Sequence, residues 1–245
     1  LEAALKAELN IPVYHDDQEG TAIVVLAGLI NAAHVVGKSL QQLRVVVNGV
    51  GASGLATARL LAAVGVKQLT LVDVYGVVTA DDSRYNRYQR DLAKQLGTPA
   101  TLKGQPLAKV MADQDAFIGL SDANVLSAGA VHLMNHDPII FALANPVPEI
   151  DPAVAKKAGA AVIATGSSQY PNQVNNILAF PGLFKGLLEN GVKQVDDDLQ
   201  VKIAKALAAT VKNPTAQAIV PSVFDPAVVP NVTAAVAASA ETSQA

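Results

Sequence analysis

The sequence LRVVVNGVGASGLATARLLAAVGVKQLTLVD, at residues 43–73, decides the fold of this chain. A β-branched run leads into three closely spaced glycines, an apolar stretch with helical spacing follows, and a second apolar run ends on Asp73. This order predicts a strand, a tight turn, a helix and a parallel strand. We therefore expect an α/β fold of the Rossmann type, in which a doubly wound parallel sheet carries flanking helices and a helical C-terminal segment.

The three glycines have separate roles in such a unit. Gly49 permits the tight turn, Gly51 lets the backbone approach a pyrophosphate, and Gly54 lets the helix pack against the strand. Asp73 lies 19 positions after Gly54, close to the spacing of a carboxylate that binds a ribose 2′-hydroxyl. An ordinary glycine-rich turn of another α/β protein is the alternative. The residues expected at a dinucleotide, including the N–H groups of the helix start, are Gly49, Gly51, Ala52, Ser53, Gly54 and Asp73.

Composition excludes several classes of function. The net charge of −3 and the pI near 5.8 argue against nucleic-acid binding, because no basic face is available for phosphates. The chain has no cysteine, so disulfides, thiolate metal sites and a cysteine nucleophile are excluded, and we expect a cytoplasmic location. The apolar run at 22–30 is too short to span a bilayer, so we expect no membrane association.

Polar residues follow the predicted strands at the points where each strand ends. We predict further strands at 116–120, 139–143 and 161–164, with helices at 123–135 and 153–159 between them. Asp73, Ser121, Asn145 and the stretch 165–168 then come to the carboxyl edge of the sheet, where α/β proteins bind ligands. The polar stretch at 80–96 predicts a solvated surface helix that includes Arg84, and Asp225 predicts the start of a final helix.

Two further stretches are unusually polar. HDDQEGT, at 15–21, places Asp16 and Asp17 before a long helix predicted at 22–36, where they either cap that helix or bind a hard cation such as Mg²⁺ or Mn²⁺. SSQYPNQVNNILAFPG, at 167–182, contains four amides, and buried amides are costly without partners. We therefore expect polar ligand recognition by the amides Asn172, Gln173, Asn175 and Asn176.

Four stretches together resemble the bacterial short-chain malic enzymes: HDDQEGTA at 15–22, VVVNGVGASG at 45–54, FALANPVPEI at 141–150 and PNQVNNILAFPG at 171–182. The resemblance covers nearly the whole chain. It implies an enzyme that oxidises L-malate with NAD, decarboxylates the product and releases pyruvate and CO₂, using Mg²⁺ or Mn²⁺. It also implies a homodimer or a higher homo-oligomer.

Individual roles follow from this resemblance. Asp17 matches a metal-binding carboxylate, and Asp16 matches a residue that supports the catalytic lysine, so both are catalytic candidates. Asn145 and Asn176 match amides that contact malate, and Asn175 matches one near the nicotinamide. Ser121 and Asn145 complete the cofactor site. We expect NAD rather than NADP, because Asp73 would repel a 2′-phosphate and neither Val74 nor Tyr75 is a cation.

The family's general acid, general base, malate-binding arginine and two other metal carboxylates belong to an N-terminal portion that this sequence does not match. The resemblance therefore implies that residues 1–15 end a preceding catalytic domain. Residues 16–175 would form the dinucleotide-binding domain, and residues 176–245 a helical segment packed on the catalytic domain. The chain alone would be inactive. Two alternatives are a malic-enzyme-like oxaloacetate decarboxylase and a non-catalytic dinucleotide-binding module. An amino-acid dehydrogenase would share the glycines without HDDQEGTA or NPVPEI.

Overall fold

Six strands form one sheet in the computed structural model, which describes residues 2–242. The strands are β1 (Arg44–Asn48), β2 (Gln68–Asp73), β3 (Gly76–Val77), β4 (Ala116–Gly119), β5 (Ile139–Ala142) and β6 (Val162–Thr165). Their order across the sheet is β3-β2-β1-β4-β5-β6, and every neighbouring pair is parallel except β2 and β3. The predicted doubly wound sheet is confirmed, with one correction: the short antiparallel edge strand β3 makes the sheet mixed.

Ten helices surround this sheet within residues 2–242. They are α1 (Glu2–Glu8), α2 (Thr21–Val35), α3 (Ala52–Ala63), α4 (Arg87–Gln95), α5 (Leu107–Val110), α6 (Ala128–His132), α7 (Pro152–Lys157), α8 (Phe180–Asn190), α9 (Asp197–Thr210) and α10 (Val228–Thr242). Successive residues of β1 face opposite sides, because Val45 and Val47 belong to one hydrophobic core and Val46 to the other. Both faces of the sheet are therefore covered.

The C-terminal helices α8, α9 and α10 share the larger core with α2 and the sheet. Two glycines of α8 let α10 approach closely. A Cβ atom at Gly182 or at Gly186 would lie 2.6 Å from the Cβ of Val232 or Val236, respectively. The helical character of the C-terminal segment is confirmed. Residues 243–245 and, at the other end of the chain, Leu1 lie outside the described residues.

Three predicted helices begin later than expected. The predicted helix at 80–96 begins only at Arg87, because Asn86 and Gln89 form a reciprocal capping box at its start. The predicted helix at 123–135 is reduced to α6, which Ser127 caps. The final helix begins at Val228, since the Asp225 carboxylate accepts a bond from the Ala227 N–H in a preceding turn. Local capping bonds rather than apolar periodicity set these three starts.

A partly buried ion pair, between Lys38 and Asp115, holds the amino ends of the central strands. Asp115 accepts hydrogen bonds from Lys38 Nζ at 2.9 Å, from the Arg44 N–H at 2.9 Å and from Asn135 at 3.0 Å. Burial opposes ionisation of Asp115, but these donors outweigh it and hold the pKa of the carboxyl below its ordinary value. Because the folded-state pKa is lowered, the stabilisation is present above the unfolded-state pKa of about 3.9 and is lost as pH falls through the folded-state pKa.

We expect Asp115→Asn to lower the melting temperature at pH 7 by roughly 5 °C, because the variant removes charge-assisted hydrogen bonds and the countercharge of the partly buried Lys38. The variant should also lose less stability than the parent between pH 5 and pH 2. Asp91→Asn, which breaks an exposed pair with Arg87, is the matched control and should change little. Thermal melts across that pH range test the prediction, and equal effects of both variants would contradict it.

Candidate active site

A cavity of about 480 Å³ opens at the carboxyl ends of β1, β2 and β4. Its position is the one at which sheets of this kind bind nucleotides. A Cβ atom built at Gly51 meets no atom within 4 Å, so the backbone there borders open space. The residues that line the cavity include Asn48, Gly49, Gly51, Asp73, Ser121 and Asp122.

The glycine-rich turn, residues 49–54, leaves no room for side chains at two of its glycines. Gly49 has a φ of 90°, and a Cβ atom there would lie 2.3 Å from the carbonyl oxygen of Leu120. A Cβ atom at Gly54 would lie 1.9 Å from the carbonyl oxygen of Gly49. Any larger residue would therefore displace the backbone of the turn, and with it the start of α3.

Asp73, at the end of β2, is held by three donors. Its Oδ1 accepts a bond from the Val74 N–H at 2.8 Å, and its Oδ2 accepts bonds from the Val50 N–H and from Gln89 Nε2, both at 3.1 Å. Gln89 Nε2 also donates to the Val50 carbonyl at 3.0 Å. Gln89 thus couples the carboxylate to the glycine-rich turn. Sequence reasoning missed it, although its spacing from Asn86 is that of a capping box.

Glu149 is a second residue that sequence reasoning missed. Its side chain is completely buried and accepts bonds from the Ser121 N–H at 2.9 Å, the Ser121 hydroxyl at 3.1 Å and the Ala144 N–H at 3.0 Å. Ser121 in turn accepts a bond from Asn48 Nδ2 at 2.7 Å. One carboxylate therefore fixes the loops after β4 and β5 beside the cavity. The only sequence signal was its place in NPVPEI, where an acid stands among apolar residues.

We expect Glu149→Gln to lower the free energy of unfolding by about 1–3 kcal/mol, because an amide N–H₂ group would face one of these N–H donors. Affinity for NAD⁺ should fall with it, since the Ser121 loop borders the cavity. Glu189→Gln, on the exposed face of α8, is the control and should change neither quantity. Urea unfolding and calorimetric titration with NAD⁺ measure both, and an unchanged stability would refute the assigned role.

The acidic turn, residues 16–20, is a π-helical turn that runs directly into α2. Asp16 and Asp17 therefore lie in its first turn, and His15 occupies the cap position without a side-chain bond. The interpretation of the two aspartates as caps of a helix near Thr21 is wrong for this reason. The Asp17 carboxylate is exposed, and its backbone carbonyl accepts a bond from the Ser53 hydroxyl at 2.6 Å. This bond joins the acidic turn to the glycine-rich turn.

Asp16 meets Asn176 across 160 positions of sequence, with 2.5 Å between Asp16 Oδ2 and Asn176 Nδ2. The other carboxylate oxygen, Oδ1, and the Tyr14 hydroxyl are both buried beside Gly20, where the two groups interact with each other. Burial and the charge of Asp17 raise the pKa of Asp16, although Tyr14 and Asn176 oppose the shift. Burial, followed by the nearby Asp16, raises the pKa of Tyr14, so this phenol stays protonated.

The amides at 172–176 have different surroundings. Asn172 is buried and donates to the carbonyls of Ile163 and Ala216 at 2.9 and 2.7 Å, while its Oδ1 accepts a bond from the Ile219 N–H at 2.9 Å. The expectation of ligand recognition is wrong for Asn172, because these internal bonds use its side chain. Asn175 Oδ1 accepts a bond from the Ile177 N–H at 3.0 Å and caps a short 3₁₀ turn.

Asn145 follows β5 and packs against the backbone after β6. Its Nδ2 donates to the Leu143 carbonyl at 3.3 Å, and a Cβ atom at Gly166 would lie 2.6 Å from that nitrogen. The side chain is thus held at the carboxyl edge of the sheet. Its loop is the one that Glu149 fixes through Ala144.

A cation that the sequence did not place there lies against Tyr75, two residues after the cavity-lining Asp73. Arg84 lies in the loop before α4, with its guanidinium carbon 5.2 Å from the ring centre of Tyr75. Its assignment to a solvated helix face is wrong, because helix α4 begins only at Arg87 and Arg84 pairs with the buried Asp82.

The donor chemistry of the acidic turn suits a hard cation. Carboxylate oxygens are preferred by Mg²⁺ and Mn²⁺, and Asp17 is exposed beside the cavity's glycine-rich turn. Among residues 2–242, however, no three His, Cys, Asp or Glu side chains come together as a potential metal site.

The parallel sheet, the glycine-rich turn and the carboxylate at the end of β2 define a dinucleotide-binding domain of the Rossmann class. The chain belongs to the malic enzyme family: the family model described as "Malic enzyme, NAD binding domain" matches residues 18–242. The predicted family, fold and NAD cofactor are thereby confirmed.

Known proteins resemble the chain over nearly all of its length. It is 45% identical over 242 residues to the NAD-dependent malic enzyme of Geobacillus stearothermophilus, covering 98% of this chain and 50% of that protein. It is 43% identical to the bifunctional malic/malolactic enzyme of Bacillus subtilis, covering 98% and 59%. The crystal structure of malic enzyme from Pyrococcus horikoshii superposes with a TM-score of 0.93 at 40% identity, covering 99% and 58%. The chain thus spans about half the length of the curated relatives it matches.

Among the described residues, 2–242, no helix is both long and apolar enough to cross a membrane.

Proposed function

We propose that the protein to which this chain belongs is an NAD-dependent malic enzyme, which converts L-malate to pyruvate and CO₂ with reduction of NAD⁺. The observation that carries the proposal is the bond from Ser53 to the Asp17 carbonyl, at 2.6 Å. This bond joins the backbone of the residue that would bind the metal to the turn that would hold the cofactor pyrophosphate. Oxidation and decarboxylation of one substrate need these two sites side by side.

Different residues of the chain would contact different parts of NAD⁺. The start of α3, with Gly51, Ala52 and Ser53, would bind the pyrophosphate through backbone N–H groups. Asp73 would accept a bond from the adenosine ribose, and its three donors keep it aimed at the cavity. The nicotinamide end would meet Ser121, Asn145 and Asn175.

Asp17 would hold Mg²⁺ or Mn²⁺, which supplies positive charge that stabilises the enolate-like product of decarboxylation. Asn176 donates one N–H to Asp16, so a second N–H and its carbonyl oxygen remain for a malate carboxylate and hydroxyl. Asn145 would orient the same substrate without adding negative charge. The buried Oδ1 of Asp16, beside the Tyr14 hydroxyl, would be the acceptor for a catalytic lysine.

We also propose the division of the chain into the end of a catalytic domain at 1–15, a cofactor domain at 16–175 and a packing segment at 176–245. Apolar side chains along one side of α8 support it, because Phe180 and Leu188 are 44% and 74% exposed, as is the preceding Ile177 at 51%. A catalytic domain would cover them. A cytoplasmic location and a homodimer or higher homo-oligomer complete the proposal.

Initial rates of malate-dependent NADH formation by the full-length protein, with and without Mn²⁺, test the proposed function. We expect a rate that depends on malate, NAD⁺ and the metal ion together. NAD⁺ binding without any such rate would instead support a non-catalytic dinucleotide-binding module.

We expect the unmutated protein to bind NAD⁺ more tightly than NADP⁺, because the Asp73 carboxylate accepts a bond from a ribose hydroxyl and repels a phosphate. Asp73→Ser should weaken NAD⁺ binding by about tenfold, because a charge-assisted hydrogen bond is lost. The difference in affinity between NAD⁺ and NADP⁺ should become smaller. Calorimetric titration with both cofactors measures it. Tighter binding of NADP⁺ by the unmutated protein would refute the prediction.

A further inference from the structure

A charged corner lies beside the ribose end of the cavity, in the loop between β3 and α4. Two bonds tie the Arg84 guanidinium to Asp82, from Nε to Oδ1 at 2.9 Å and from Nη2 to Oδ2 at 2.6 Å. The Asp82 side chain is only 2% exposed, whereas that of Arg84 is 47% exposed. The acid is therefore part of the protein interior, and the cation sits at the surface above it.

Backbone contacts fix this corner relative to Asp73. Tyr75 follows Asp73 by two residues, and its ring lies under the Arg84 guanidinium. The Tyr85 hydroxyl accepts a bond from the Tyr75 N–H at 3.1 Å and donates to the Gly76 carbonyl at 2.8 Å. Arginine near the end of this strand is the residue with which Rossmann domains bind the 2′-phosphate of NADP. Arg84 thus has the chemistry and the place for that role.

The pairing of Arg84 with Asp82 opposes binding of a 2′-phosphate by this arginine. The Asp82 carboxylate offsets the Arg84 charge and occupies the Nε and Nη2 edge of the guanidinium, so a phosphate would meet only the remaining N–H donors of an already neutralised pair. Asp82 is ionised at neutral pH, because the Arg84 hydrogen bonds lower its pKa to about 2. Lys103, which lies after α4 and reaches this loop, is paired with Asp81 at 2.9 Å.

We propose that Asp82 withholds Arg84 from an adenosine 2′-phosphate and so acts, with Asp73, as a second determinant of the preference for NAD⁺. The inference rests on the proposed use of NAD⁺ but extends it, since it assigns selectivity to a residue that does not touch the cofactor. Asp73 repels the phosphate directly, whereas Asp82 removes the cation that would attract it.

The test compares dissociation constants of NADP⁺ and NAD⁺ in the full-length protein, because their ratio cancels general losses of structure. Relative to Asp73→Ser, the double variant Asp73→Ser/Asp82→Asn should lower the ratio of NADP⁺ to NAD⁺ constants by about tenfold, the effect of one released charge-assisted contact. Adding Arg84→Gln to the double variant should return this ratio to its value in Asp73→Ser. A fall in the ratio of less than twofold would overturn the proposal. So would a fall that persists when Arg84→Gln is added.

A second comparison leaves Asp82 intact, in case Asp82→Asn destabilises the loop. Arg84→Gln in the Asp73→Ser background should leave the ratio unchanged within about twofold, because a withheld arginine contributes nothing to phosphate binding. A fivefold or larger rise in the ratio would show that Arg84 already contacts the phosphate, and would overturn the proposal. Binding is measured without malate, so a failure here is distinct from a failure of malate turnover.

Discussion

Asp17→Asn in the full-length protein is expected to raise the Mn²⁺ concentration for half-maximal activity and to lower kcat, each by at least about tenfold. The variant removes a negative charge from an exposed side chain, while the backbone bond from Ser53 to the Asp17 carbonyl persists. Metal affinity therefore changes without loss of the turn. Rates titrated with Mn²⁺, together with direct Mn²⁺ binding, measure the two effects.

Asn176→Ala is the matched comparison. It should raise the KM for malate while Mn²⁺ affinity stays within about twofold, because an amide that bonds to Asp16 and is proposed to contact substrate contributes no charge to the metal. An Asp17→Asn protein with unchanged Mn²⁺ dependence would contradict the metal assignment. Melting temperatures of both variants separate these effects from general destabilisation.

The 245-residue chain, purified by itself, is expected to bind NAD⁺ but to oxidise malate at least about 10⁴-fold more slowly than the full-length protein. The resemblance assigns the general acid and the general base to a portion outside this sequence, and loss of acid–base catalysis alone has an effect of this order. Calorimetry with NAD⁺ shows whether the chain is folded, and NADH absorbance reports turnover. Rates near those of the full-length protein would refute this prediction.

Local sequence was sufficient for the nucleotide-binding half of the fold. Residues 43–73 combine a buried strand, a turn that only glycine can make and an apolar helix, and each local preference agrees with the final structure. The strand β3 escaped prediction because it has only two residues, Gly76 and Val77, and follows a turn rather than an apolar run. Its pairing depends on the chain reversal at 74–75.

Contacts between distant residues account for what the sequence missed at the site. Nothing near Glu149 in sequence indicates that it accepts bonds from Ser121, 28 positions earlier. The opposite error occurred at Asn172, where a clustered amide suggested a ligand and the structure shows three internal bonds. Polar side chains can serve the ligand or the fold, and only their partners distinguish the two.

The position of Arg84, against Tyr75, shows the same limit. Val74 and Tyr75 provide no positive charge, but the chain returns to this corner with Arg84, and the capping box at Asn86 keeps that residue off the helix. Charge spacing alone therefore misassigned Arg84. The pairing with Asp82 is local in sequence, yet its burial is a property of the folded loop.

The stoichiometry of products from L-malate tests the central proposal most directly. With the full-length protein, NAD⁺ and Mn²⁺, we expect one NADH and one pyruvate for each malate consumed, and no NADH when malate is omitted. Pyruvate formed only from added oxaloacetate, with no NADH from malate, would contradict the proposal and identify an oxaloacetate decarboxylase instead.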